Sequence, residues 1–352
     1  MSNIAARVST DALKRFTTDV FSRAGLSAEH SKIVTEVLVW ANLRGADTHG
    51  VTRVPQYVDM IDVGDMNPRP AIAVRNVAPA SVVIEADRAA GPVAMTIATS
   101  CAVQKASNFG IGMALVRMTT HTAALGYYTL MAAREGMAAI AFSASRPNMV
   151  YHGARAAGVS TSPISIAVPG GDFGPVLLDM ATGVVSVGKL MQARKNAEAI
   201  SPGWALDKQG RPTTDPTAAH IPLPMAGPKG SGLALMIECI TSLIVSTPLL
   251  SDYLENAPEG RRHKQNGLII AIDVAKFVEL STFRHEVDRL VAAIKALPPD
   301  SEAGEILLPG ERGSRTFDER SRDGIPVARV TLEELRRLGE RLGVSIFPLV
   351  GE

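Results

Sequence analysis

A mixed α/β fold with a helical lobe is predicted for this chain by three observations. Apolar residues recur at helical spacing before residue 62, the period shortens to that of strands from Ala71, and residues 111–144 spell strand, helix, strand. At 352 residues the chain can bury a large core and build two or three lobes, so a single small module is excluded.

Ser9-Thr-Asp11 supplies an N-cap, and Leu13, Phe16, Val20 and Phe21 follow on one helical face until Gly25. Ser27 opens a second helix with Ile33, Val34, Val37, Leu38 and Ala41 on its apolar face, closed by Arg44-Gly45. Beyond Tyr57, Val58 and Ile61 lead into a turn at 64–70. Strands are expected at 72–74 and 81–84, an apolar helix at 91–107, a strand at 111–118, a helix at 122–134 and a strand at 136–144. The last three form a βαβ pattern that predicts parallel pairing, with His121 and Ser145 just past the carboxyl ends of its strands, where such sheets gather functional groups. Strands at 164–168 and 176–178 come next, the second ending at Asp179. A helix at 187–197, a turn-rich connection at 201–216, a long helix opened by Ala226-Gly-Pro-Lys-Gly-Ser-Gly232, a strand at 267–272 and helices at 282–296 and 331–342 complete the chain. Residues 302–322, charged and glycine-bearing, are expected as a surface or ligand-facing loop.

Lys and Arg number 36 against 35 Asp and Glu, so no global field points at nucleic acid or an anionic membrane, and a small-molecule partner is expected. Cys101 and Cys239 each lie in an apolar run far from the other, which suggests buried thiols in a reducing compartment. No signal-peptide pattern precedes Asp11, and the apolar run at 232–245 is interrupted by Glu238 and too short to span a bilayer, so a cytoplasmic protein is expected.

The stretch Asp47-Thr-His-Gly-Val-Thr-Arg-Val-Pro-Gln-Tyr57 is the first candidate site. His49, Arg53 and Tyr57 recur at steps of four, so on a helix they would share one face, either converging on a ligand or simply facing solvent. Pro55 makes such a helix begin late or kink. A guanidinium grips a carboxylate through two parallel hydrogen bonds, a phenol adds another, and an imidazole moves a proton near neutral pH. His121, at a strand end, is the second candidate proton carrier. Gly110-Ile-Gly112 precedes a strand and reads as a turn, not a dinucleotide fingerprint. The Gly227–Gly232 segment precedes a helix and carries Lys229, so it is either an anion-binding helix start or a plain glycine turn. The remaining histidines, His263 among them, lack metal-ligand spacing, and no metal is expected.

Together these pieces resemble the malate/L-lactate dehydrogenase family, which includes sulfolactate, ureidoglycolate and diketogulonate dehydrogenases and cyclic imino acid reductases, and is unrelated to Rossmann-type lactate dehydrogenases. The resemblance spans nearly the whole chain: Leu43-Arg-Gly-Ala-Asp-Thr-His-Gly-Val51 with Arg53 and Tyr57, His121 before Gly126-Tyr-Tyr128, Thr161 and Pro163, Asp179-Met-Ala-Thr182, Gly188-Lys189, Asp207 with Gly210 and Thr213-Thr-Asp-Pro216, Lys229-Gly230, and Pro309-Gly-Glu311. It implies a non-Rossmann, sulfolactate-dehydrogenase-like mixed sheet flanked by helices. The implied division is a helical segment at 1–70 packing with the C-terminal segment, a substrate-side segment at 71–125, an NAD(P)-binding segment at 126–250, and a C-terminal segment with a closing helix at 251–352. It also implies a homodimer, and hydride transfer between NAD or NADP and a small 2-hydroxy or 2-oxo acid, or a related imine. A lyase or hydrolase using the same side chains without nicotinamide is the rival reading.

By the same resemblance, Arg53 with Tyr57 and Thr48 would hold the substrate carboxylate, His121 would be the acid/base and His49 would polarise the substrate oxygen. Ser145, Thr161, Ser162, Pro163, Asp179, Met180, Ala181, Lys229, Gly230, Gly310, Glu311 and Arg312 would surround the cofactor, with Lys229 near its phosphates. A 2'-phosphate would need a cation, for which Arg146, Arg155 and Arg312 are all open. This chain departs from the family pattern at Thr48, at Thr119-Thr-His-Thr-Ala123, at Ser160-Thr-Ser-Pro163 and at Ala181-Thr-Gly183, which suggests an altered substrate or altered cofactor contacts.

Overall fold

The computed structural model describes residues 6–300 and 304–349. Two capped helices, α1 (Thr10–Arg23) and α2 (Ala28–Leu43), pack along each other and against the closing helix α11 (Arg329–Leu342). Ser9 and Ser27 accept from the backbone N–H groups of Ala12 and His30, the capping expected of serine at that position. The chain termini are tied together by an antiparallel pair, Ala6–Val8 with Ile325–Val327, and by an edge-on contact between Phe16 and Phe347.

The predicted helical stripe is corrected here. The backbone is extended at Gly50, so two short 3-10 turns, Asp47–His49 and Val51–Arg53, precede α3 (Val54–Asp62). Pro55 stands in the first turn of α3, where its missing N–H costs nothing.

The centre of the molecule is a seven-stranded mixed sheet. Its strands are β1 (Ala73–Ala78), β2 (Ser81–Glu85), β3 (Ile111–Thr119), β4 (Met137–Ser145), β5 (Ile164–Val168), β6 (Val176–Met180) and β7 (Gln265–Asp273), in spatial order β1-β2-β3-β7-β4-β5-β6. The parallel pair lies one unit earlier than predicted. β2 and β3 pair in parallel across helix α4 (Gly91–Phe109), whereas β7 inserts between β3 and β4 and pairs antiparallel with both. Strands β3 and β4 therefore point the same way without touching.

Helix α4 lies close to the sheet through buried Ala94, Ala98, Ala102 and Ala106. A side chain on Gly112 would meet the Ala102 carbonyl oxygen at 1.9 Å, and Gly110 ends α4 at φ 83°, so both glycines serve packing and chain reversal. Helix α5 (Gly126–Arg134) covers the same face beside α4, beginning later than predicted because residues 120–125 run irregularly. Alternate residues of β7 go to opposite cores: Ile269 and Ala271 face the α4 side, Leu268 and Ile270 the other.

Helix α6 (Val187–Asn196) is followed by a small three-stranded sheet, two of whose short strands, Ala205–Leu206 and Pro212–Thr213, lie in the connection expected to be turns and the third, Ile221–Pro222, just beyond it. Helix α7 (Pro228–Thr241) covers the second face of the main sheet against β4 and β7, and runs into a 3-10 turn at Leu243–Val245. Pro228–Val245 is the one helical run among the described residues with the length and hydropathy of a membrane span, and it packs one face on the sheet. After α8 (Leu250–Leu254) and α9 (Leu280–Lys295), the expected loop at 302–322 is corrected to helix α10 (Glu311–Asp323); residues 301–303 lie outside the described part.

Candidate active site

One end of the sheet collects the candidates. Thr119 of β3 and Ser145 of β4 both pair with Gln265, the first residue of β7, and Ile164 of β5 pairs with Met180 of β6. The carboxyl ends of β3, β4 and β6 and the amino ends of β7 and β5 thus share an edge, with His121, Ser145, Pro163 and Ala181 at or just past it.

The 47–53 loop is fixed from below. Asn42 donates to Asp47 at 2.7 Å and accepts the Val51 N–H at 2.7 Å. Arg320, on α10, grips Asp47 through two nitrogens at 2.7 and 3.1 Å. A Cβ on Gly50 would sit 2.1 Å from the Asn42 side-chain oxygen, so only glycine lets the loop approach α2 this closely. Within the loop the Arg53 Nε donates to the Thr48 carbonyl at 2.7 Å and its Nη1 to Gln56, while Nη2 has no partner among the described residues. The Thr48 hydroxyl is hydrogen-bonded to His49 Nδ1 at 3.1 Å.

His121 stands where these groups meet. Its ring stacks on that of His49, centroids 5.7 Å apart, and meets Tyr57 edge-on. The Tyr57 oxygen lies 2.9 Å from His121 Nδ1 and 2.9 Å from the His121 carbonyl oxygen. A phenol has one proton, and the carbonyl can only accept. Both contacts are hydrogen bonds only if the hydroxyl donates to the carbonyl and accepts from Nδ1–H, which leaves Nε2 as the bare nitrogen of neutral His121. Tyr57 is fully buried, and its proton is committed, so it positions His121 and has no donor left for a carboxylate. Met118 and Ala123, on either side of His121, have φ of 57° and 55°, a left-handed backbone that non-glycine residues hold only where surroundings enforce it.

The electrostatics are one-sided. Burial, reinforced by the charges of Arg53, His49 and His263, holds His121 well below the usual imidazole range. Burial and then Arg53 bring His49 down to about 4. Both rings nonetheless touch solvent, as groups on the floor of an open cleft do. His263, which its lone position in the sequence gave no reason to choose, joins this group: it feels Arg146, Asp65 and Arg53, and its Nε2 is buried without a partner. No signal in the sequence marked it, because its place depends on β7 pairing with the strands that end at Thr119 and Ser145.

The cofactor candidates divide into two groups. The Thr182 N–H donates to the Thr161 carbonyl, the Met225 N–H donates to the Thr182 carbonyl, and a Cβ on Gly230 would meet both the Met225 and Thr182 oxygens. This joins Ser145, Thr161–Pro163, Met180–Ala181 and the start of α7 into one surface, with Lys229 exposed at its rim. Ser162 is buried, its hydroxyl paired with Ser160 at 2.6 Å, so it supports the surface from beneath. Gly310 and Glu311 stand apart: the Leu177 N–H donates to Pro309, and Arg44 donates to the Gly310 carbonyl at 2.8 Å. Lys295 and Arg315 hold the Glu311 carboxylate down to about 2. Gly310 and Glu311 line a cavity of about 470 Å³ with Trp40, Arg44 and Leu177, whose lining includes none of His49, Arg53, His121 or Lys229. Arg44 links the two regions, because it also faces Asp179, whose carboxyl is pushed up to about 6 by the protein around it, against a hydrogen bond from the Gly126 N–H.

The site combines a neutral, tautomer-fixed imidazole, an arginine with a free nitrogen and a glycine-started helix beside a strand edge, and known proteins share the chain that builds it. A family model described as malate/L-lactate dehydrogenase matches residues 8–336. Malate dehydrogenase of Pyrococcus horikoshii is 36% identical, with 96% of each chain covered, and its solved structure superimposes at a TM-score of 0.88 over 99% of this chain and 98% of that one. L-sulfolactate dehydrogenase of Methanocaldococcus jannaschii is 35% identical over 95% of this chain and 96% of its own. A Delta(1)-pyrroline-2-carboxylate/Delta(1)-piperideine-2-carboxylate reductase of Pseudomonas putida is 29% identical over 97% and 98%. The chain is an oxidoreductase of the malate/L-lactate dehydrogenase family.

Proposed function

We propose that the enzyme oxidises or reduces the 2-carbon of a small 2-hydroxy or 2-oxo acid with NAD or NADP, and that His121 is its acid/base. The observation that carries this reading is the Tyr57 lock, which presents Nε2 of a neutral imidazole beside Arg53 and His49. Nε2 takes the hydroxyl proton during oxidation and, once protonated, returns it during reduction. Arg53 Nη2 receives the substrate carboxylate while Nε and Nη1 keep the guanidinium in place. His49, neutral and stacked on His121, polarises the substrate oxygen.

A nicotinamide dinucleotide fits the second surface on one structural ground: the Thr182 hydroxyl is buried there without a partner, beside the α7 start where free N–H groups and Lys229 favour a phosphate. Thr161, Ala181, Thr182, Lys229 and Gly230 would hold it, and the chemistry it supplies is hydride exchange with the substrate carbon. A cyclic imino acid is the second substrate class, suggested by the Pseudomonas putida relative. A homodimer is proposed as well, because α7 and the following turn expose Leu235, Met236, Ile240, Leu243 and Ile244 on one ridge, an apolar face that a second copy would cover. Light scattering on the purified protein tests that assembly.

Thermal-shift titration with NADH and NADPH, alone and with 2-oxo acids and cyclic imino acids, tests the function. One nucleotide should raise the melting temperature by mass action, and one acid should add to it. Turnover of that pair at 340 nm should fall by about 10²–10⁴-fold in His121→Ala with nucleotide binding retained. If neither nucleotide shifts the melt, the lyase or hydrolase reading takes its place.

A further inference from the structure

Strand β3 carries one residue more than the strand opposite it. Gly267 of β7 pairs with Val116 and Gln265 with Thr119, so Arg117 and Met118 together face Asn266, whereas β7 pairs with β4 on its other side without a break. Two residues against one make a β-bulge, and an extra residue sends every side chain after it to the opposite face. The faces show that change. Leu115 packs with Met113 and Val245 in the core away from α4, and Arg117 donates to the Val245 carbonyl at 3.1 Å on that same side. Regular alternation would send Thr119 there as well. Instead Thr119 pairs with Gln265, in phase with Gly267, where a Cβ would meet Met95 of α4, and its hydroxyl donates at 3.0 Å to the carbonyl of Ala89, just ahead of α4. His121, two residues on, comes out on the side of Tyr57, which shares the core cluster of α4.

The bulge is held by one side chain of β7. Asn266 is fully buried; its Oδ1 accepts the Met118 N–H at 3.0 Å, and its Nδ2 donates to the Thr247 carbonyl at 2.9 Å. An N–H can only donate and a carbonyl can only accept, so both contacts together require an amide at this place. Met118 itself stands at φ 57°, which is unfavourable for a residue with a Cβ. From the other side the Arg88 N–H donates to the Met118 carbonyl at 2.6 Å. The strained residue is thus gripped at its N–H by Asn266 and at its carbonyl by the loop that follows β2.

We propose that Asn266 is a positioning residue for the acid/base: its amide holds open the bulge at Arg117 and Met118, and the bulge turns His121 onto the face of the sheet where Tyr57 fixes its tautomer. This rests on the proton-transfer role proposed for His121 above. Asn266 acts through the backbone of β3 and touches none of the reacting groups.

The test is steady-state kinetics on Asn266→Ala, with a melting curve beside it, using the acid and nucleotide found by the thermal-shift screen. The variant should melt lower, and its kcat should fall by about 10- to 100-fold, the effect of a misplaced catalytic group. Its KM for the nucleotide should stay within about twofold, because the second surface is untouched. Adding Met118→Gly to Asn266→Ala should bring kcat back to within about threefold of wild type, since glycine takes φ 57° without strain and the bulge then persists unaided. A purely structural Asn266 predicts no such rescue. Unchanged kcat in a folded Asn266→Ala, or a fall that Met118→Gly does not relieve, overturns the proposal. If Asn266→Ala does not fold, single changes at residue 118 carry the test: Met118→Val, β-branched and disfavoured in the left-handed region, should lower kcat while Met118→Gly should not, and equal effects of the two overturn the proposal. If wild-type enzyme turns over no acid, hydride transfer falls and the ring nitrogens of His121 decide by NMR. A ring protonated at Nδ1 in wild type that becomes a mixture of tautomers in Asn266→Ala keeps the positioning role; an unchanged ring removes it.

Discussion

Tyr57 has one proton and two contacts on His121, donating to the carbonyl and accepting from Nδ1–H, and that arithmetic is open to direct test. Tyr57→Phe removes the partner of Nδ1–H and of the His121 carbonyl at once, inside a fully buried site. Unpaired buried groups cost about 1–3 kcal/mol each, so the variant should melt lower than wild type. Its kcat should fall by roughly tenfold or more as the imidazole loses its fixed tautomer, while the KM for the acid changes less, because Arg53 is untouched. Unchanged kcat in a folded Phe variant would mean that Tyr57 only packs. At this scale His49, Arg53 and His121 were legible in the sequence, since their chemistry follows from residue type. The role of Tyr57 was not: a phenol four residues from an arginine looks like a carboxylate ligand until the direction of its hydroxyl is known.

Helix α10 shows why a charged segment can hold the 47–53 loop in place without announcing itself. None of its residues is buried, so it has no apolar stripe for a period to reveal, and residues 302–322 look like a loop. What holds it are the ion pairs of Glu311 with Lys295 and of Arg320 with Asp47, with Phe317 packed on the core between them. The Arg320 clip spans from α10 to the loop that carries His49 and Arg53. Its Arg320→Ala variant should lose only about 1 kcal/mol of global stability, since the Asp47 side of the pair is half exposed. The KM for the acid should nonetheless rise severalfold, because a loosened loop misplaces Arg53. Steady-state kinetics beside a melting curve will separate the two effects, and a parallel loss in both would reduce the clip to simple stability. The strand order was hidden for a related reason. Periodicity found β3 and β4 but not β7 between them, because an insertion from residues 265–273 leaves no mark on the local pattern of 111–145.

Across the whole molecule the desolvated histidines set how folding responds to acid. His49 titrates at about 4 in the folded protein and near 6.5 when unfolded. Between those values the unfolded chain binds a proton that the native site refuses, so stability declines as pH falls, by up to about 1.4 kcal/mol per pH unit for each such group. His121 and His263 are displaced in the same direction and add to the slope. Asp179 opposes them: its carboxyl at about 6 takes up a proton in the folded state before an unfolded aspartate does, so its contribution grows as pH drops from 6 toward 3.8. Asp179 also touches solvent, which screens its share, and three imidazoles outweigh one carboxylate. The ion pairs of Glu311, whose folded value is about 2, begin to weaken only below the usual 4.5, so the interval from pH 6.5 to 5 leaves the histidines opposed by Asp179 alone. Urea denaturation across that interval should show stability falling toward acid, and His49→Gln should make the slope shallower while leaving stability at pH 7.5 nearly unchanged. A wild-type stability that is flat or rising from pH 6.5 to 5 would mean that the site is more open to water than its packing indicates, and that the neutral His121 needed for the proposed base role must be secured by the bound ligands instead.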